Sequence, residues 1–118
     1  HLNTSISSPG VLTAIGDHLP PLSRRVALIA DDRPRALTTA ISDGLAGLGV
    51  TVTVLSVAAG ERLKRWGEAG ALLERCSEAG LERDDCIVAV GGGSIGDVAG
   101  LVAATYLRGI ACISTSTC

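Results

Sequence analysis

The sequence contains no phenylalanine and no methionine, and one tryptophan and one tyrosine among its 118 residues. A core without aromatic bulk has to be built from Ala, Val, Leu and Ile, which suits helices packed on a parallel sheet. A basic excess is missing too: ten Lys and Arg stand against twelve Asp and Glu, for a formal net charge of -2. Nothing is left over to neutralise nucleic-acid phosphates, which argues against a nucleic-acid partner. No apolar run approaches the roughly 18 residues of a membrane span, and no basic segment followed by an apolar one marks a secretory signal. The four cysteines, Cys76, Cys86, Cys112 and Cys118, include no CxxC pair and no zinc-like spacing. Cys86 and Cys112 fall in apolar runs and read as buried thiols, in keeping with a reducing, cytoplasmic compartment. His1 and His18 are the only histidines and neither stands in a cluster, so no metal is assigned to this chain.

Hydrophobic residues make up 47% of the chain and the mean hydropathy is +0.41. A chain of this length buries roughly two-thirds of its unfolded surface, enough for one domain with a real core. Strand-like and helix-like segments alternate along it. RVALIA at 25–30 is a short buried-strand pattern and ends at Asp31-Asp32. Pro34 then suits the opening of a helix, with Leu37, Ile41, Leu45 and Leu48 at helical spacing and Gly49 as its stop. VTVTVLSV at 50–57 alternates as a strand. Residues 61–79 read as a helix with Trp66, Leu72, Leu73 and Cys76 on its buried side, ended by Gly80. CIVAV at 86–90 is apolar at every position, the pattern of a strand covered on both faces. Residues 94–106 read as a helix of small residues, and IACI at 110–113 as a last short strand. Residues 11–19 suit a helix capped by Ser8, preceded by an edge strand. This rhythm predicts an α/β fold, a Rossmann-like three-layer domain with a mainly parallel sheet and right-handed crossovers.

In such folds ligands bind beyond the C-terminal ends of the strands, which directs attention to three places. The sharpest is Gly91-Gly92-Gly93-Ser94-Ile95-Gly96-Asp97, between an apolar strand and a helix. It contains the G-x-G-x-x-G spacing of a dinucleotide loop, in which glycines let a phosphate approach the backbone and helix N–H groups face the anion. The alternative is a tight glycine turn that merely packs a helix on a strand. A Rossmann fingerprint places its ribose-binding acid at the end of the next strand. Here that stretch is Ser114-Thr115-Ser116-Thr117, and the acids instead end an earlier strand, at Asp31 and Asp32. Either accepts a ribose hydroxyl, although Asp32 is better read as a helix cap. The third place is Gly60-Glu61-Arg62-Leu63-Lys64, where Glu61 and Lys64 share a helix face as ligands of a ribose and a phosphate, or as an exposed ion pair. Asp97 suits the helix dipole or faces an uncharged part of the ligand. Arg108, at a helix end, suits the dipole or clamps a phosphate or carboxylate.

GGGSIGDVAGLVAATYLRG at 91–109 resembles the most characteristic segment of the 3-dehydroquinate synthases. Gly60-Glu61-x-x-Lys64 resembles that family's upstream cofactor motif, Asp31 its acid after an early strand, and Ser116-Thr117-Cys118 its proline-threonine-threonine. The resemblance spans residues 25–118 and implies the N-terminal half of a dehydroquinate-synthase-like fold. It implies NAD as cofactor, contacted by Asp31, Glu61, Lys64, Gly92, Gly93, Ser94, Asp97, Thr117 and Cys118. It further implies that Arg108 binds substrate phosphate across a homodimer interface. The family converts a sugar-acid phosphate, 3-deoxy-D-arabino-heptulosonate 7-phosphate, into 3-dehydroquinate in the shikimate pathway of aromatic amino-acid biosynthesis. It does so by transient oxidation, phosphate elimination, reduction, ring opening and aldol closure. Its divalent metal, zinc or cobalt, is expected only in a C-terminal helical domain outside these 118 residues, so this chain alone is expected to bind NAD without turnover. The alternatives are a related cyclitol-forming sugar-phosphate cyclase and a non-catalytic nucleotide-binding module; a metal-dependent alcohol dehydrogenase is disfavoured by residues 97–109.

Overall fold

The computed structural model describes residues 3–6, 11–31, 35–57, 65–91 and 93–116. In chain order the elements are β1 (Asn3–Ile6), α1 (Val11–His18), β2 (Arg25–Asp31), α2 (Arg35–Gly47), β3 (Thr51–Val57), α3 (Arg65–Glu78), β4 (Cys86–Gly91), α4 (Gly93–Thr105), a 3-10 turn (Tyr106–Arg108) and β5 (Ala111–Ser116). The five strands form one sheet in the order β1-β5-β4-β2-β3, and every pairing is parallel.

The strand sequences explain the layers. Side chains alternate across a strand, so β2 sends Ala27 and Ile29 to one face and Val26, Leu28 and Ala30 to the other. In β4, Ile87 and Ala89 join the first set, and Cys86, Val88 and Val90 the second. Leu72 and Cys76 of α3 and Val98, Ala99 and Val102 of α4 cover the first face. Ile15 of α1 with Ile41 and Leu45 of α2 covers the second. Every residue of β4 is buried, as its unbroken apolar run requires.

Loops between these elements are set by a few groups. Gly49 and Gly80 take φ of +92° and +79°, the left-handed geometry that ends α2 and α3. Asp85 is 2% exposed. Its Oδ1 accepts the N–H of Arg24 at 2.8 Å and of Arg25 at 2.9 Å, and its Oδ2 accepts that of Glu82 at 2.7 Å. Burial pushes this carboxyl up, but the three N–H groups and the Arg25 charge more than offset that and hold it below its ordinary value. It ties the starts of β2 and β4 together.

Three expectations are corrected. Leu48 does not join the buried side of α2: the helix ends at Gly47 and the leucine is 57% exposed in the turn beyond. The small-residue helix begins at Gly93 and gives way at Tyr106 to a tighter turn. The last strand runs three residues further than its apolar core, to Ser116, because β4 continues beside it to Gly91. The opening edge strand exists, paired with β5; its helix α1 ends at His18, and Ser8 lies outside the described residues, as do Asp32 and Pro34.

Candidate cofactor crevice

The topology selects one place on the C-terminal edge of the sheet. From β2 the chain passes through α2 on one face to β3; from β4 it passes through α4 on the other face to β5, in the opposite direction. β2 and β4 are neighbours, in the register Ala30↔Val90. Adjacent strands whose following helices leave on opposite faces leave a crevice between their ends, and this is where doubly wound sheets bind ligands. The next residues along these strands are Asp31 and Gly91. Asp31 in turn pairs with Val57, the last residue of β3, and Gly91 with Ser116, the last of β5.

The expected cofactor residues therefore follow the ends of four adjacent strands. Asp31 is the last residue of β2; Gly93 and Ser94 open α4, and Asp97 stands exposed one turn into it. Glu61 and Lys64 lie on the segment that leaves β3, Gly92 between β4 and α4, and Thr117 and Cys118 after β5; these five lie outside the described residues. The unusual placement of the acid, on an earlier strand than a Rossmann fingerprint has it, follows from strand order: β2 is the neighbour of the glycine-loop strand on the crevice side.

The glycine loop has a steric basis. Gly91 takes φ of +150°, and a Cβ there would stand 2.9 Å from Ile95 Cγ1 and 3.2 Å from Ile95 Cβ. The side chain of Ile95 folds back over the strand end, so only a bare backbone passes beneath it. Gly96 differs. A Cβ there would meet Ser114 Oγ at 3.7 Å, an ordinary contact.

Arg108 is not brought into this crevice. It lies beyond the C-terminus of α4, whose 13 residues span about 20 Å, and so sits toward the opposite edge of the sheet. Nor is it a helix-end residue in the expected sense. Leu107 and Arg108 take φ of +48° and +68°, the only non-glycine residues among those described with positive φ. Each such residue costs on the order of 1–2 kcal/mol. Tyr106, the only tyrosine, is buried next to them, and its hydroxyl donates to the Leu81 carbonyl at 2.8 Å. Burial raises its pKa, helped by Cys76, Glu82 and Asp85, so it remains a donor. Sequence reasoning singled out Arg108 and passed over Tyr106; a lone tyrosine in a chain nearly free of aromatics was the available signal.

The remaining polar groups are structural. Thr115 Oγ1 donates to the Ala89 carbonyl at 3.0 Å, pinning β5 to β4. Burial pushes the Cys76 thiol up to about 11, against the pull of Arg75. Burial, with Cys112 and Asp85, takes Cys86 to about 12, and Cys112 rises to about 11 despite a hydrogen bond from Ser114. Among the described residues no three His, Cys, Asp or Glu stand together to hold a metal ion, and no described helix is long and apolar enough to cross a membrane.

Comparison with known proteins gives the family and the fold. The family profile described as 3-dehydroquinate synthase N-terminal matches residues 54–118. The chain belongs to the 3-dehydroquinate synthase family. It is 43% identical over 114 residues to the 3-dehydroquinate synthase of Pelotomaculum thermopropionicum, covering 94% of this chain and 31% of that one. To that of Paracoccus denitrificans it is 38% identical over 111 residues, covering 92% and 30%. A solved 2-deoxy-scyllo-inosose synthase, complexed with carbaglucose-6-phosphate, NAD+ and Co2+, superposes with a TM-score of 0.84 at 30% identity, over 96% of this chain and 32% of that one. The 2-epi-5-epi-valiolone synthase of Streptomyces hygroscopicus subsp. jinggangensis, with NAD+ and Zn2+ bound, gives 0.77 at 25% identity, over 95% and 31%. The chain thus spans about a third of the length of its 3-dehydroquinate synthase relatives, and its fold is that of the sugar-phosphate cyclases.

Proposed function

We propose that residues 1–118 form the NAD-binding part of a cytoplasmic 3-dehydroquinate synthase, a lyase that removes phosphate from a sugar-acid phosphate and closes the carbon ring. The observation that carries this is the adjacency of β2 and β4, which sets Asp31 and Gly91 at the ends of neighbouring strands, at the point where the following helices leave on opposite faces. What supports a dinucleotide is that α4 opens at Gly93, two residues past the strand end, because the first turn of a helix offers an anion N–H groups that no helix carbonyl takes up. Asp31 and Glu61 would accept ribose hydroxyls, and Gly92, Gly93 and Ser94 would offer backbone N–H groups to the pyrophosphate. Lys64 would meet a phosphate, and Asp97, Thr117 and Cys118 the nicotinamide end. Bound NAD supplies the hydride acceptor and donor for the transient oxidation; this chain's own residues only bind and orient it.

Arg108 would hold substrate phosphate. Its distance from the crevice puts a substrate of the same chain out of reach, so the arginine serves the site of a second copy, and the working enzyme is a homodimer. The divalent metal belongs, on this proposal, to the two-thirds of the enzyme's length that this chain does not match. A cyclitol-forming cyclase is the second reading, favoured by the solved neighbours with TM-scores of 0.84 and 0.77; the higher identities to the dehydroquinate synthases favour the first.

Calorimetric titration of NAD+ tests the proposal. Saturable binding is expected, weakened on the order of tenfold or more by Asp31→Ala through loss of hydrogen bonds to a carboxylate. A folded protein that binds no NAD+, or binds it equally well without Asp31, would overturn the crevice assignment. Turnover of 3-deoxy-D-arabino-heptulosonate 7-phosphate by the full-length enzyme, against none with a hexose phosphate that lacks the carboxylate, separates the two cyclase readings.

A further inference from the structure

We infer that Tyr106 is a positioning residue: its hydroxyl anchors a left-handed turn that holds Arg108 out toward an anion. The inference rests on the proposal that Arg108 binds phosphate, and it adds how the arginine is aimed. Positive φ occurs at six described positions, and four of them are glycine, the residue that adopts this backbone freely. Only at Leu107 and Arg108 does the chain keep large side chains in left-handed geometry, in sequence, with Gly109 at φ +118° behind them. Both side chains are exposed, so packing does not explain the choice. Backbone strain of this kind persists only where surrounding contacts over-determine it.

Those contacts are present on both sides of the turn. The Gly109 N–H donates to the Tyr106 carbonyl at 2.8 Å, and the Ile110 N–H to the Ala103 carbonyl at 2.8 Å. Tyr106 itself is fixed at its far end, where its hydroxyl meets the Leu81 carbonyl. Leu81 is fixed in turn: its own N–H donates to the Cys76 carbonyl at 3.2 Å, just past the left-handed Gly80 that ends α3. The turn is thus tied through one phenol to a second helix end. A ring held this way fixes the Cα of residue 106, and the two left-handed residues after it set the direction in which Arg108 leaves the surface. An arginine aimed in advance loses less freedom when its guanidinium takes a phosphate.

The test is the affinity of the full-length protein for inorganic phosphate, followed by 31P NMR, with NAD+ affinity as the control. Arg108→Ala is expected to weaken phosphate binding on the order of a hundredfold, and Tyr106→Phe roughly tenfold, with NAD+ affinity unchanged in both. The double variant is expected to match Arg108→Ala alone, because Tyr106 acts only through the arginine. A second pair of variants reads the turn without touching the core. Leu107→Asn suits the left-handed backbone and is expected to bind phosphate like the parent, whereas the β-branched Leu107→Val does not suit it and is expected to share the tenfold loss. If Arg108→Ala leaves phosphate binding unchanged, the phosphate role of Arg108 and the inference on Tyr106 fall together. If Arg108→Ala is damaging but Leu107→Val binds like the parent, or the Tyr106 and Arg108 effects add, only the positioning role of Tyr106 falls.

Discussion

Replacing Gly91 by alanine tests whether the glycine loop is built as the structure has it. Two independent costs follow from the geometry. The residue holds φ of +150°, which an L-residue with a Cβ adopts only under strain, at about 1–3 kcal/mol. The new methyl also lands 2.9 Å from Ile95 Cγ1 and 3.2 Å from Ile95 Cβ, and Ile95 is 5% exposed, with the core behind it. Overpacking of this kind costs about 1–3 kcal/mol. Together they give about 2–6 kcal/mol, which for a domain of this size lowers Tm by roughly 3–5 °C per kcal/mol. Urea unfolding followed by circular dichroism measures it, and Ile95→Ala supplies the control. Alone, Ile95→Ala costs about 2–5 kcal/mol as a cavity; combined with Gly91→Ala it frees the space the methyl needs. The two changes are then expected to cost at least about 1 kcal/mol less together than their sum. A Gly91→Ala variant within about 0.5 kcal/mol of the parent, or strict additivity with Ile95→Ala, would refute the steric account of the loop.

Asp85 predicts an acid limb in stability. Its folded pKa lies below its ordinary value of 3.8, so its contribution is full above that value and is lost as pH falls through the lower, folded one. Asp85→Asn, which keeps the shape but cannot serve three N–H donors as a charge, is expected to cost about 2–3 kcal/mol at neutral pH and to flatten the decline below about pH 4; an acid limb as steep as the parent's would contradict this. The buried thiols predict an alkaline limb. Cys76, Cys86 and Cys112 ionise in the unfolded chain near 9.0 and in the folded chain only at about 11 to 12, so stability falls as pH rises past 9. At pH 8 the three are expected to resist a thiol reagent until urea is added, with labelling read site by site by mass spectrometry; rapid native labelling of any of them would show that the core is not closed there.

What was legible in the sequence was legible for physical reasons. The unbroken run from Cys86 to Val90 has no polar side to turn to water, so a strand covered on both faces was its only stable setting. The strand and helix periods fixed the α/β class, and Asp31 was recognised as an acid at a strand end. That Asp31 and Gly91 end neighbouring strands was not legible from pattern alone, because they lie sixty residues apart and only the order β4-β2 brings them together. Leu48 misled because helical spacing continues past a helix end that Gly47 and Gly49 impose. The turn at 107–109 was hidden for the opposite reason: leucine and arginine carry no left-handed preference, and only the bonds from Tyr106 and to Ala103 put them there.

The glycine motif itself divides once side-chain space is considered, and the division separates a packing role from a binding role. Gly91 is demanded by Ile95, so its presence says little about a cofactor. Gly96 is not demanded by packing: a methyl there finds Ser114 Oγ at 3.7 Å and Ser114 Cβ at 3.9 Å, both ordinary contacts. It also sits inside α4, where alanine in place of glycine gains about 0.5–1 kcal/mol in helix propensity. A chain selected for folding alone would gain by losing this glycine. Gly96→Ala is therefore expected to keep or raise stability in urea. If the space beside half-buried Ser114 is where the cofactor approaches the start of α4, the same change weakens NAD+ binding roughly tenfold, since a single added methyl at a close contact costs about 1–3 kcal/mol. Stability and affinity moving in opposite directions in one variant would tie the third glycine to the ligand. A variant that is more stable and binds NAD+ as the parent does would leave Gly96 with neither role, and the phosphate-loop reading would then rest on Gly92 and Gly93 alone.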